Sequence, residues 1–169
     1  CTRPPEEDVG WIDAGLKGVV RFLQGVWRLG LEPEAIVVEG SGADGALLQR
    51  KSAQTVKKVT EHFDELRFNT AVAALMELAN AMQSHLQNGG ARDATWESSV
   101  RVLVKLLNPL APHVCEEMWQ KLDEDGMLAD AAWPEYDAEA AAVPEVTVVV
   151  QVAGKLRDRL ILPAAATQV

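Results

Sequence analysis

The sequence predicts a mainly α protein, an antiparallel helical bundle followed by a β-hairpin, and three observations carry that prediction. Apolar residues recur every three or four positions from Asp13 to Leu122. Gly, Pro and N-cap residues interrupt the pattern at intervals of about one helix. After Glu145 the apolar period falls to two. A chain of 169 residues, 48% of them hydrophobic, holds enough apolar material for one domain and part of a second.

The first helix starts at Asp13. "DAGLKGVVRFLQGVWRLG" places Leu16, Val19, Val20, Leu23, Val26 and Trp27 on one stripe, with Gly30 expected at the C′ position. Glu32 to Gly45 mixes Pro, Gly, Ser and Glu around Ile36-Val37-Val38 and reads as a surface loop. A second helix is expected over about Ala46–Leu66, with Leu48, Val56, Val59, Phe63 and Leu66 inward and Arg50, Lys51, Lys57 and Lys58 outward. Asn69 offers an N-cap for the third, which carries Val72, Leu75, Met76, Leu78, Ala79 and Met82 before Gly89-Gly90 stops it. The fourth follows Thr95 as cap and runs to Asn108-Pro109, where proline forces a bend. Pro112 suits the first turn of a short fifth helix, "PHVCEEMWQKL".

The bundle therefore occupies 13–122. Residues 123–145 carry only acidic charges around "WPEYD" and read as a linker draped over it. Residues 146–169 hold "VTVVVQV" and "LRDRLIL" about Ala153-Gly154, a hairpin pattern that is marginal alone in water.

The charge of −9 argues against holding nucleic acid by bulk attraction, although a local basic face is compatible with it. Cys1 and Cys115 have neither disulfide nor metal-ligand spacing, which points to a reducing, cytoplasmic setting. The longest apolar runs are far too short for a membrane span, so no membrane partner is expected. His62, His85 and His113 are scattered and read as packing or surface histidines, and Glu116-Glu117 lies where carboxylates favour a helix dipole. With no nucleophile constellation and no phosphate-cradling glycine loop, neither a catalytic residue nor an ATP or metal site is expected in this chain.

The basic residues remain. Arg21 and Arg28, seven apart, share a face of the first helix, and Lys57 and Lys58 lie outward on the second. Lys155, Arg157 and Arg159 gather in the hairpin, with Arg157 and Arg159 on one strand face and Asp158 on the other. Surface helices ordinarily carry Lys and Arg, so a solvated face is the ordinary explanation of the helical ones; the alternative, a phosphate-tracking surface, needs them to converge in space. Trp27 and Trp119 fall on apolar stripes and read as core rather than as base-stacking platforms; Trp133 lies in the linker.

Five ordered blocks, "GVVRFLQGVWRL", "TVKKVTEHFDELRFNTAVAALMELANAM", "LVKLLNPLAPHVCEEMW", "WPEYD" and "VQVAGKLRDRLILPA", resemble the C-terminal part of bacterial leucyl-tRNA synthetases, members of class I. The resemblance covers nearly the whole chain from about Pro4. It implies that residues 1–12 connect to a catalytic region beyond this chain, that the bundle is an anticodon-binding domain, and that the hairpin opens a small α/β domain, truncated here, that touches the tRNA elbow. It implies leucine tRNA and the catalytic body as partners, a monomer, and ATP and Mg used only by the parent ligase. Arg67-Phe68-Asn69-Thr70 becomes the corner between two helices, with Asn69 as cap, Phe68 as a wedge into the core and Arg67 facing RNA. Two departures bear on RNA contact: Ala153 stands where the family usually has Asn, weakening a type I′ turn, and Gly25 stands where Arg is common. A free-standing RNA-binding paralogue, or a structural bundle with little RNA contact, are the alternatives.

Overall fold

A computed structural model describes residues 13–33, 44–136, 138–141, 145–152 and 155–163, with side chains for 16–33, 44–136, 138 and 141. The connector over 1–12, the Ile36–Val38 loop and the Ala153-Gly154 turn lie outside the described residues. Five long helices follow in order: α1 (Asp13–Leu31), α2 (Gly45–Asp64), α3 (Phe68–Gln87), α4 (Ala94–Leu107) and α5 (Pro112–Lys121). A 3-10 turn at Leu128–Asp130 and a one-turn α6 (Ala138–Ala141) come next. Then β1 (Glu145–Val152) pairs antiparallel with β2 (Lys155–Pro163), Glu145 opposite Pro163 and Val152 opposite Lys155. The register shifts between Val150 and Gln151, which interrupts the strict alternation assumed for Arg157, Asp158 and Arg159.

Helix α3 is the centre, packing against α1, α2 and α4, while α5 packs on α1 and α4. Leu75, Leu78, Met82 and Leu86 follow the three-four spacing down α3 and are fully buried. They meet Val56 and Val59 of α2, Leu103, Val104 and Leu106 of α4, and Cys115 and Met118 of α5 in one core cluster. Where α2 and α4 press together the buried Ser52 Oγ donates to Ser99 Oγ at 2.9 Å, and Ser99 in turn donates to the Thr95 carbonyl at 2.8 Å. That chain of bonds leaves no hydroxyl of the pair buried without a partner.

The stripe on α1 is covered over only half its length. Val26 and Leu29 are buried, but Leu16, Val19 and Val20 are 50%, 42% and 45% exposed. Met76, one of the apolar residues of α3, is also exposed, and α1 runs one residue past Gly30.

The helix ends correct the expected caps. Helix α3 begins at Phe68 with Arg67 as its N-cap and no side-chain capping bond; Asn69 is already inside the helix. Helix α4 is capped two residues earlier than Thr95, by Asp93, whose Oδ1 accepts from the Thr95 and Trp96 amides at 3.0 and 3.1 Å. Three helices finish in the same Schellman pattern. The Leu66 and Arg67 amides donate to Phe63 and His62 carbonyls, Gly89 and Gly90 to Leu86 and His85, and Asp123 and Glu124 to Gln120 and Trp119.

The residue at the left-handed position is Gly89 in α3 but Leu66 in α2, at φ 57°. Leu66 was expected inward and is instead 58% exposed, so it holds a conformation that costs an L-residue about 1–2 kcal/mol while burying little. Leu66→Gly should therefore raise stability by up to about 1 kcal/mol after the extra unfolded-state entropy of glycine is subtracted. A thermal melt checks this: a rise of a few degrees is expected, and a fall would show that the Leu66 side chain contributes more than its exposure implies.

Candidate nucleic-acid interface

The corner between α2 and α3 is tight because the Schellman end of α2 supplies Arg67, which is at once the last residue of that motif and the N-cap of α3. Arg67 is 63% exposed, and its Nη1 lies 3.3 Å from Glu65. Phe68 does not enter the core. It is half-buried and packs on Phe63 with ring centroids 5.8 Å apart. Trp133 reaches back from the linker to the same ring, also at 5.8 Å, and its Nε1–H donates to Thr60 Oγ1 at 2.9 Å.

Lysines of α2 meet a carboxylate that the sequence pattern does not pair with them. Lys51 Nζ donates to Glu77 of α3 at 2.7 Å, and Lys58 Nζ lies 3.8 Å from the same oxygen. The Lys51 hydrogen bond, helped by Lys58, holds the Glu77 carboxyl below its ordinary value, so it is ionised at neutral pH and cancels one of the two positive charges. Lys57 faces Glu61 one turn on, at 4.0 Å. Arg21 and Arg28 are exposed on α1 and form no ion pair among the described residues. The candidate cations of the bundle thus form two groups, one on α2 and its corner, one on α1. The side chains of Lys155, Arg157 and Arg159 lie outside the described residues.

Other charged groups are committed to structure. The Arg101 guanidinium bonds Glu124 and pairs with Glu97, and the Glu124 bond above all raises its pKa further. Lys105 Nζ sits 5.4 Å from the centroid of the Trp119 ring, a cation–π contact on a buried tryptophan. Cys115 is buried, and burial with the neighbouring Glu116 pushes its thiol up to about 12, so it offers no thiolate near pH 7. Among the described residues no group of three His, Cys, Asp or Glu could hold a metal, and no helix is long and apolar enough to cross a membrane.

Chemically, the surface presents exposed cations whose carboxylate partners are exposed as well. Such pairs are worth little in water, and a phosphate oxygen can replace Glu61, Glu65 or Glu77 at small cost. Glu77 itself was missed from the sequence, since Lys51 and Lys58 lie 26 and 19 residues before it and only the α2–α3 packing brings them together.

A family profile described as the anticodon-binding domain of tRNA ligase matches residues 47–168. A leucine–tRNA ligase of Geobacter sp. (strain M21) is 43% identical over 166 residues, covering 93% of this chain and 20% of the relative. One from Dehalococcoides mccartyi is 37% identical over 98% of this chain, again 20% of the relative. This chain therefore spans about a fifth of the length of these curated relatives. Among solved structures it is similar, at TM-score 0.73 and 26% identity, to a LeuRS (agnB2) of Agrobacterium radiobacter K84 in a ternary complex with tRNA and LeuAMS, over 95% of this chain and 21% of that one.

Proposed function

We propose, from the premise that this chain belongs to the anticodon-binding domain family of tRNA ligases, that it is the tRNA-docking part of a leucine–tRNA ligase. The observation that carries this is the breadth of the likeness to leucine–tRNA ligases, 93% and 98% of the chain in the two relatives, joined to a fold match with a synthetase solved on tRNA. The whole ligase activates leucine with ATP and Mg and esterifies the terminal adenosine of the tRNA; the chain's own residues bind and orient the RNA. Leucine activation by this chain alone, read as pyrophosphate exchange, is expected to be nil.

Within that role Arg21, Arg28, Lys57, Lys58 and Arg67 contact backbone phosphate, and the paired strands open a small α/β domain whose Lys155, Arg157 and Arg159 add contacts near the tRNA elbow. Phosphate contacts fix position without reading bases, so identity is discriminated elsewhere in the ligase. The protein acts as a cytoplasmic monomer.

A second reading, a structural bundle that scarcely touches RNA, is favoured by the pairing of Lys57, Lys58 and Arg67 with glutamates. Salt titration of binding to leucine tRNA, for the parent and a Lys155→Ala, Arg157→Ala, Arg159→Ala triple variant, addresses the strand contribution. The variant is expected to bind more weakly, with its salt slope lower by about one unit per lost phosphate contact. Identical slopes and affinities would remove the strands from the RNA interface and put the structural reading ahead.

A further inference from the structure

The segment after α5 is held at three places beyond the Arg101–Glu124 bond at its start. The Glu116 carboxylate, projecting from α5, accepts from the Leu128 and Ala129 amides at 2.9 and 2.8 Å. Trp133 lies against Phe63 and donates to Thr60 on α2. Farther on, Gln54 Nε2 donates to the Ala141 carbonyl at 3.2 Å, where α6 packs on α2. The acidic composition of 123–145 alone gives no reason for such a path, since uniform charge favours an extended free tether.

We propose that residues 123–141 act as a closed strap rather than a tether, with Glu116 and Trp133 as positioning residues that fix where the β1–β2 unit departs from α2 and so couple its RNA contacts to those of the bundle. The coupling rests on the docking function proposed above. A free linker of roughly 22 residues, 123 to 144, would spread its ends by about 26 Å. With the chain anchored at Ala141, three residues separate the anchor from Glu145, and a linker of that length would spread by no more than about 10 Å. Because effective concentration falls roughly as the −3/2 power of linker length, closing the strap raises that of the second contact by up to about 20-fold without adding any contact.

The test uses the full chain carrying Glu116→Ala and Trp133→Ala together, with Trp133→Phe as the conservative comparison. Amide hydrogen exchange over 127–136, between the Glu124 and Ala141 attachments that the double variant keeps, is expected to rise to near free-chain rates while α3 and α4 amides keep their protection. Affinity for leucine tRNA should fall about three- to 20-fold with an unchanged salt slope, because contacts are uncoupled and not removed. Trp133→Phe, which keeps an aromatic ring, should restore most of the protection and affinity. Unchanged exchange in the double variant overturns the strap. Faster exchange with unchanged affinity, or a salt slope that drops with the affinity, overturns the coupling. A parent that binds no tRNA overturns the docking function and the coupling with it, while the exchange result still decides whether the strap is closed.

Discussion

Leu78→Ala is expected to cost the bundle about 2–5 kcal/mol, much of the stability of a domain this size. Leu78 is fully buried on α3, the helix that packs against α1, α2 and α4, and belongs to their shared core cluster, so its truncation opens a cavity in that core. Phe68→Ala provides the contrast. From sequence it is a core wedge, and a core Phe truncation would cost about 3–5 kcal/mol. In the fold Phe68 is half-buried against Phe63, so partial burial and one aromatic pair amount to about 1–2 kcal/mol. Urea melts of both variants should rank Leu78→Ala well below Phe68→Ala; the reverse order would move the core to the α2–α3 corner.

Gly90→Ala is the other large effect, expected to destabilise by about 1–3 kcal/mol. A Cβ on Gly90 would come far inside van der Waals contact with three atoms of the His85 ring. That ring is held in place: it is buried, lies near-parallel to Trp96 at 6.2 Å, and its Nε2–H donates to the Ala91 carbonyl at 3.1 Å, so yielding costs it these contacts. The Gly90 amide meanwhile closes the Schellman motif on the His85 carbonyl at 2.8 Å. A melting temperature equal to the parent's would mean that the loop re-routes without loss.

Helix positions were legible because a three-four apolar period has one physical cause, a single buried face. Where that face meets a partner was not. The α1 stripe is continuous from Leu16 to Trp27, yet only its second half is covered, and periodicity says nothing of what lies opposite. The corner was misplaced because Asn69 is a good capping residue and Leu66 a poor left-handed one, yet the chain adopts the Leu66 conformation and places Asn69 within α3. At α4 two acceptable caps, Asp93 and Thr95, stand two residues apart, and the earlier one is used. The cations were visible as residue types, and Lys57–Glu61 also as an i,i+4 pair; Glu77 between Lys51 and Lys58 needed the tertiary packing. The path of the strap was equally hidden, since Glu116 read as a dipole residue and Trp133 as part of a linker.

The most direct measurement of the tRNA-docking role is the salt dependence of leucine-tRNA binding by the parent chain and by a variant with Arg21, Arg28, Lys57, Lys58 and Arg67 all changed to Ala. A phosphate-docking bundle predicts that the parent's affinity falls steeply with salt and that the variant's log–log slope is lower by about one unit for each of the five residues that touches phosphate. A parent that binds no tRNA, or a variant with the parent's slope and affinity, would contradict it.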